Sequence, residues 1–377
     1  MLSNNKNILL LTYENRSSIN LSDNVGGVIT ACKRILNAHQ NIECSLFTYR
    51  YTDIGKKNKL LLPLRLVIDL ILMLKKTNKK DFAYCITDPS SFIRTIIYIF
   101  IAKIFFKKCS FFVDIRGGGP AVRLENNSFN IKQTGLKLIY KISDKVILQT
   151  PNFSKIPNKL RSKAFFLPNT LPSINSNSLI YSNNNKYPIN SNRFSKAKMK
   201  IIYSGRIHES KGIMLILKLL DTEISEFLEI GFVGPIELKD KSKKLFLKSI
   251  SKKLINYHGL IKDKSKLLNI LLNYDLFVFP SFHKTEGMPN AILDAILTKL
   301  PILTTKCGFI SDLFSEKHLT FIDDLNINNL VLSIENVIEN YGKYISKADM
   351  AYQFTIKNYT FTNYQTKLKS LYSFFSN

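Results

Sequence analysis

The chain is predicted to be an α/β protein of two units, each a parallel sheet flanked by helices. Three observations predict this. Short apolar runs of strand length alternate with helix-length segments along both halves. A polar stretch, 173–198, separates the halves; it carries Asn183-Asn184-Asn185 and several Ser, and is too poor in apolar residues to build a core. The length of 377 residues also exceeds what one hydrophobic core supports.

In the first half, 7–13 reads as an apolar strand, and 25–37 as a helix opened by Gly26-Gly27. A strand follows at 43–49, and an apolar helix with Arg65, Asp69 and a Lys75-Lys76 tip at 60–76. Strands are expected at 82–87, 110–115 and 145–149, with helices at 91–108 and 137–142. After the polar stretch the pattern restarts. Strands are expected at 200–204, 228–233, 255–258, 275–280, 301–305 and 320–322, with helices at 211–220, 245–253 and 265–272. A last helical segment covers 348–375. In parallel sheets of this kind, ligands sit beyond the carboxyl ends of the strands.

Composition narrows the partners. There are 54 basic against 28 acidic residues, a net charge of +26. An anionic membrane surface, an anionic nucleotide and nucleic acid are all compatible with that charge, and an AT-rich coding bias accounts for part of the Lys. Nucleic-acid binding would need cations interleaved with exposed aromatics, or a recognisable module, and neither is evident. Cys32, Cys44, Cys85, Cys109 and Cys307 show no paired spacing, as expected of a reducing cytoplasm. The five His are scattered, so no metal site is expected. The apolar segment 91–108 is interrupted by Arg94 and Lys103, too early for the roughly twenty residues of a membrane span. It and 60–76 read as core-facing helices with basic tips suited to a lipid surface.

The strongest local signal is Glu286-Gly287-Met288-Pro289-Asn290-Ala291-Ile292-Leu293-Asp294, directly after the strand at 275–280. Pro289 suits the first position of a helix. The N–H groups around Gly287, Met288 and Asn290 would then face an anion with the positive end of the helix dipole. Eight helical residues turn through about 800°, so Glu286 and Asp294 are offset by about 80° and suit two ends of one ligand. A second signal is Gly205-Arg206-Ile207-His208-Glu209-Ser210-Lys211-Gly212, in which two cations follow a strand and precede a helix. A guanidinium fork and an ammonium together neutralise a diphosphate. Asp114-Ile115-Arg116-Gly117-Gly118-Gly119-Pro120 closes another strand. Its acid and base fit either a ligand-facing pair or an ion pair bracing the loop. Gly26-Gly27 fits a phosphate loop and a flexible turn equally well.

Taken with Pro280-Ser281, Pro301-Ile302-Leu303 and Gly308, these residues resemble the donor-site signature of the family 4 retaining glycosyltransferases. The resemblance implies the GT-B fold: two Rossmann-like domains facing a central cleft. It implies an acceptor-side domain at 1–172, a linker at 173–198, a nucleotide-sugar domain at 199–347 and a C-terminal helix, 348–377, returning to the first domain. It also implies a nucleotide-diphosphate sugar as donor, UDP favoured, with no cofactor or metal. Arg206 and Lys211 would contact the donor phosphates, with Gly27 and the Gly287–Asn290 backbone beside them. Glu286 would take the sugar hydroxyls and act in catalysis, and Asp294 the ribose. Gly26, Asp114 and Arg116 would stand on the acceptor side, with Asp114 a second catalytic candidate. The family writes its second acid as Glu; Asp294 is one methylene shorter. Lys299 stands where Gly is common. Pro168-Asn169-Thr170 resembles the family's Pro-Asn-Gly at the hinge. Many relatives act on lipid-linked acceptors, which implies a peripheral place on the inner face of the cytoplasmic membrane and work on a bacterial surface polysaccharide such as O-antigen or capsule.

Overall fold

The structure is a computed structural model that describes residues 6–14, 27–40, 44–52, 82–87, 92–105, 109–117, 131–154, 156–172 and 197–373. The expected helix at 60–76, Gly26, Gly118–Pro120 and almost all of the polar stretch lie outside these residues. The chain divides into two units. The first is Met1–Asn169 with Thr362–Asn377, the second Thr170–Phe361.

The first unit holds β1 (Lys6–Glu14), α1 (Gly27–Gln40), β2 (Cys44–Thr52), β3 (Phe82–Thr87), α2 (Phe92–Phe105), β4 (Ser110–Ile115), α3 (Ile131–Ile142), β5 (Lys145–Leu148), the single turn α4 (Asn158–Arg161) and β6 (Ala164–Phe166). The sheet runs β2-β1-β3-β4-β5-β6 with every pair parallel. All six residues of β3 are buried, as are all of β4 after Ser110. Strands covered on both faces read as near-continuous apolar runs, which is why 82–87 and, Asp114 apart, 110–115 were legible to the residue. Lys163 closes α3, its ammonium donating to the carbonyls of Tyr140 at 2.9 Å, Lys141 at 3.2 Å and Ser143 at 2.7 Å.

The second unit holds β7 (Met199–Ser204), a 3₁₀ turn at Glu209–Lys211, α5 (Ile213–Lys218), β8 (Leu228–Val233), α6 (Asp240–Ser251), β9 (Asn256–Tyr257), α7 (Lys264–Leu271), β10 (Leu276–Phe279), α8 (Asn290–Leu297), β11 (Ile302–Thr305), the single turn α9 (Ile310–Leu313), β12 (Thr320–Ile322), α10 (Ile327–Glu339) and α11 (Tyr341–Asn358). Its sheet runs β12-β11-β10-β7-β8-β9, again all parallel. The chain winds outward from β7 through β8 to β9, then crosses back to β10 and winds the other way. The order therefore reverses between β7 and β10. That is the topological switch point, where ligands bind beyond the strand ends.

The C-terminal segment differs from expectation. It is two helices, α11 and α12 (Phe361–Ser373), and the unit boundary falls at Thr362, not at 348. The cause is Tyr359, 5% exposed, whose ring packs edge-on against Phe314 and Phe354 at 5.9 and 5.7 Å. Its N–H donates to the Thr355 carbonyl and its own carbonyl accepts from Leu171 N, both at 2.8 Å, so the helix ends there. The other boundary falls between Asn169 and Thr170, three residues before the expected one.

Helix α12 is part of the first unit's core. Tyr372 lies 5.0 Å from the Phe82 ring and 5.6 Å from Phe112. Its hydroxyl donates to His39 Nε2 at 2.6 Å, because His39 Nδ1 donates to the Ile35 carbonyl at 2.6 Å. Burial holds the His39 imidazole neutral and lowers its pKa to about 4. The folded state thus refuses a proton that the unfolded chain accepts, so this stability is lost as pH falls from about 6.5 towards 4. The loss from His39 alone is roughly 3 kcal/mol. Urea unfolding from pH 7 to 4 should show the decline, and His39→Gln should flatten it; the same slope in both proteins would contradict the assignment.

Candidate functional site

The loops after β7 and β10 meet at the switch point. Lys211, in the turn after β7, and Glu286, in the loop after β10, form an ion pair across 75 residues of sequence. Both are buried, their side chains only 8% and 11% exposed. Ser281, itself fully buried, donates its hydroxyl to the same Glu286 oxygen at 3.0 Å. The Lys211 ammonium also lies 5.7 Å from the centre of the Phe279 ring.

Two glycines make this closeness possible. Gly212 has φ +74°, and a Cβ there would lie 2.1 Å from the Pro280 carbonyl oxygen. Gly308 has φ +63°, and a Cβ there would lie 2.0 Å from the Glu286 carbonyl oxygen. No L side chain fits either place, so the motif requires Gly for shape. The loops are cross-tied as well: Phe282 N donates to the Ser210 carbonyl at 3.0 Å, and Phe309 N to the Glu286 carbonyl at 3.2 Å.

A chain of polar groups borders the pair. Thr285 Oγ1 is 2.9 Å from His283 Nε2, His283 Nδ1 is 3.3 Å from Ser210 Oγ, and Ser210 Oγ is 2.9 Å from His208 Nδ1. The Ser210 N–H donates to His208 Nδ1 at 3.1 Å, which puts that imidazole's proton on Nε2 when neutral. Burial, then the Lys211 charge, lowers the His283 pKa. Burial, then the Glu286 charge, pushes the Cys307 thiol up to about 11, so it is a protonated packing group.

The other predicted donor residues divide. Arg206 is half-exposed and pairs with Glu237 at 3.3 Å, while Tyr203 fixes its loop by donating to the Arg206 carbonyl at 2.8 Å. Asp294 is 4% exposed and takes a cation of its own, Lys264, at 2.8 Å. Pro289 is the N-cap of α8, not its first residue. Its ψ of 124° is extended, and its carbonyl accepts from Ile292 N at 3.2 Å and Leu293 N at 3.4 Å, so the helix starts at Asn290. Met288 is 2% exposed and belongs to the core, and Pro289 is buried; Gly287 and Asn290 are the partly exposed residues of this stretch. The anion-facing surface expected from Gly287, Met288 and Asn290 is therefore reduced to Gly287 and Asn290.

In the first unit, Asp114 and Arg116 form the bracing ion pair. Asp114 is 0% and Arg116 5% exposed, so neither faces a ligand at an open surface, as an acceptor-side role would need. Tyr84 donates to Asp114 at 2.6 Å. Burial pushes the Asp114 carboxyl up, against the pull of Arg116 and Tyr84. Asn169 Oδ1 accepts from Arg116 at 3.2 Å and from Arg34 at 2.6 Å, tying the expected hinge motif into the same network. Gly27 is the first residue of α1.

Sequence reasoning missed Ser281 as a holder of Glu286, and Glu237, Lys264 and Asn169 as partners. Ser281 had a signal, since it stands beside the strand end within the quoted motif. The other three are long-range pairs with no local signature. Among the described residues no group of His, Cys, Asp and Glu is arranged to hold a metal ion, and no helix is long and apolar enough to cross a membrane.

Known proteins share parts of this sequence and its fold. TuaC of Bacillus subtilis (strain 168), named for a glycosyltransferase role in teichuronic acid biosynthesis, is 31% identical over 124 residues, 31% of this chain and 28% of TuaC. Protein CapJ of Staphylococcus aureus is 30% identical over 191 residues, 41% of this chain and 46% of CapJ. The chain thus spans less than half the length of these curated relatives. Among solved structures, sucrose-phosphate synthase from Thermosynechococcus elongatus has a TM-score of 0.68 at 12% identity, covering 98% of both chains. HepE from Anabaena, solved with UDP and glucose, has a TM-score of 0.66 at 14% identity, covering 98% of this chain and 99% of its own. Likeness at that identity establishes the fold alone, an α/β pair of parallel-sheet domains. Residues 188–354, which include Arg206, Lys211, Glu286 and Asp294, match the family model of the glycosyl transferases group 1 and lie almost wholly in the second unit.

Proposed function

We propose that the protein is a retaining glycosyltransferase that takes a hexose or N-acetylhexosamine from a nucleotide-diphosphate sugar, UDP favoured. The acceptor is a lipid-linked or free saccharide in the assembly of a bacterial surface polysaccharide, O-antigen or capsule. The buried Lys211–Glu286 pair at the switch point of a parallel sheet carries this reading. The matched family model supports it, as do the name of TuaC and the UDP bound by HepE.

Donor binding separates the pair. Lys211 turns to the diphosphate, and Glu286, held by Ser281, accepts from the sugar hydroxyls. Arg206 moves from the exposed Glu237 to the phosphates. These preformed charges stabilise the departing diphosphate, so no metal is called for. Asp294 takes the ribose. The acceptor attacks from the face the diphosphate leaves, which preserves the anomeric configuration. The first unit serves the acceptor. Incubation with labelled UDP- and GDP-sugars and a polyprenyl-linked or free saccharide tests the proposal. Label in the acceptor supports transfer. A changed sugar released without acceptor would mark an epimerase instead, and a sugar phosphate formed with inorganic phosphate would mark a phosphorylase.

The same proposal places the enzyme on an anionic membrane surface. Ile93, Phe100 and Ile104 of α2 are 68%, 63% and 59% exposed. Steps of seven and eleven residues return to nearly the same side of a helix, so they form one stripe. Lys103 is exposed beside them, and α3, packed on α2 at Gly135 and Phe92, exposes Leu138 between Lys137 and Lys141. Apolar side chains ringed by Lys suit lipid with acidic headgroups. Flotation should recover the protein with anionic vesicles, and Phe100→Glu with Ile104→Glu should reduce recovery; equal recovery with neutral vesicles would contradict the proposal.

A further inference from the structure

Helix α6 carries a row of cations that the second unit leaves unneutralised. Lys241, Lys244 and Lys248 lie on it and Lys252 caps its end; all four are exposed. Steps of three, seven and eleven residues return to within about 80° of one another, so the four form one stripe about 16 Å long. Phe246, fully buried, anchors the opposite side of the helix. Among the described residues no carboxylate pairs with any of the four, whereas Lys200, Lys299 and Lys306 of the same unit stand 3.7, 2.9 and 3.3 Å from Glu229, Asp349 and Glu316. Lys241 and Lys243 stand in the first turn, where the helix dipole disfavours cations. Like charges four residues apart, Lys244 with Lys248 and Lys248 with Lys252, repel. Local helix energetics therefore oppose this arrangement. Coding bias accounts for the number of lysines but not for their alignment.

We propose that α6 is an electrostatic contact with anionic lipid headgroups, which gives the second unit a membrane surface of its own. This rests on the membrane placement proposed above but uses none of the α2 residues. A layer of acidic headgroups is a plane of negative charge, and a straight row of ammonium groups meets it without bending either partner. The exposed leucines decide between lipid and a soluble polyanion. Leu245 and Leu247 on the helix and Leu254 just after it are 46%, 44% and 50% exposed. Beside a bilayer their side chains reach the boundary between headgroups and acyl chains. Against a soluble polyanion they gain nothing. A nucleic acid would look for aromatic platforms between the cations, and Phe246, the one aromatic of the helix, is buried.

The test is co-sedimentation of the full-length protein with vesicles of phosphatidylcholine alone and of an equal mixture of phosphatidylcholine and phosphatidylglycerol. Lys244→Gln with Lys248→Gln should weaken partition onto the mixed vesicles by about tenfold or more, the contribution of two lysines near an anionic surface. The loss should shrink as salt is raised. Tm should not fall, because both changes relieve repulsion. Lys317→Gln with Lys343→Gln, exposed in the same unit, makes the same change in net charge and should leave partition within about twofold. Equal losses in the two variants, or no loss in either, overturn the proposal. So does a Lys244/Lys248 variant that keeps its vesicle binding and loses binding to a single-stranded oligonucleotide, which would assign the stripe to nucleic acid. Phe100→Glu with Ile104→Glu separates the two membrane readings. If it leaves partition unchanged while the Lys244/Lys248 variant loses it, the α2 reading fails and α6 stands; the reverse pattern overturns α6 alone. No partition of the unaltered protein onto the mixed vesicles overturns both.

Discussion

Replacing Lys211 with Met should abolish sugar transfer and cost roughly 3–5 kcal/mol of stability, the usual penalty for stranding one member of a buried ion pair. The Glu286 carboxylate, only 11% exposed, would keep Ser281 as its donor but lose its counter-charge. Glu286→Ala strands the ammonium by the same logic, so it should lose stability as well as activity. The double variant, Lys211→Met with Glu286→Gln, removes both charges. It should be more stable than either single change, because contacting residues do not act additively. Denaturant unfolding of the three variants checks this. Single variants as stable as the unaltered protein would mean the pair is not the buried contact described.

The second large effect lies in the first unit. Arg116→Leu should cost a similar 3–5 kcal/mol, since it leaves the Asp114 carboxylate at zero exposure with, among the described residues, the Tyr84 hydroxyl as its side-chain donor. It also takes one of two guanidinium donors from Asn169, at the end of the unit. Asp114→Asn should also cost stability, by somewhat less, because the amide oxygen still accepts from Tyr84 and Arg116 while the buried Arg116 guanidinium loses its counter-charge. The order is diagnostic: an exposed, ligand-facing Asp114 would make Asp114→Asn nearly neutral for stability and severe for activity. A bracing Asp114 makes stability respond first. Denaturant midpoints for both variants decide between the two roles.

The fold was legible where a single segment carries the whole signal. Strands 82–87, 110–115, 228–233 and 320–322 coincide with β3, β4, β8 and β12, each a short apolar run with a sharp polar or glycine border. Other elements had no such signal. β6 is three residues of half-buried Ala-Phe-Phe. α10 opens on Ile-Asn-Asn and buries only Leu330, Ile334 and Val337. The break between α11 and α12 depends on Tyr359 finding an aromatic pocket, a tertiary event. The site divides in the same way. Glu286, Lys211, Gly212 and Gly308 were readable because the loop geometry forces those residue types into fixed places. Lys264, Glu237 and Asn169 were not, because nothing local links them to Asp294, Arg206 and Arg116. The helix start at Asn290, and not at Pro289, moved one residue for the same reason: the cap is decided by ψ, which Pro leaves open.

The central proposal is that Lys211 and Glu286 open to hold a nucleotide diphosphate. Thermal unfolding in the presence of UDP, GDP or ADP measures this most directly. One of them should raise Tm, with a shift that grows with concentration and reaches about 2.7 kcal/mol of stabilisation at a hundredfold excess over Kd. Lys211→Met, compared with its own ligand-free Tm, should show no shift with the same nucleotide. A shift of equal size in Lys211→Met, or none with any nucleotide in the unaltered protein, would contradict it.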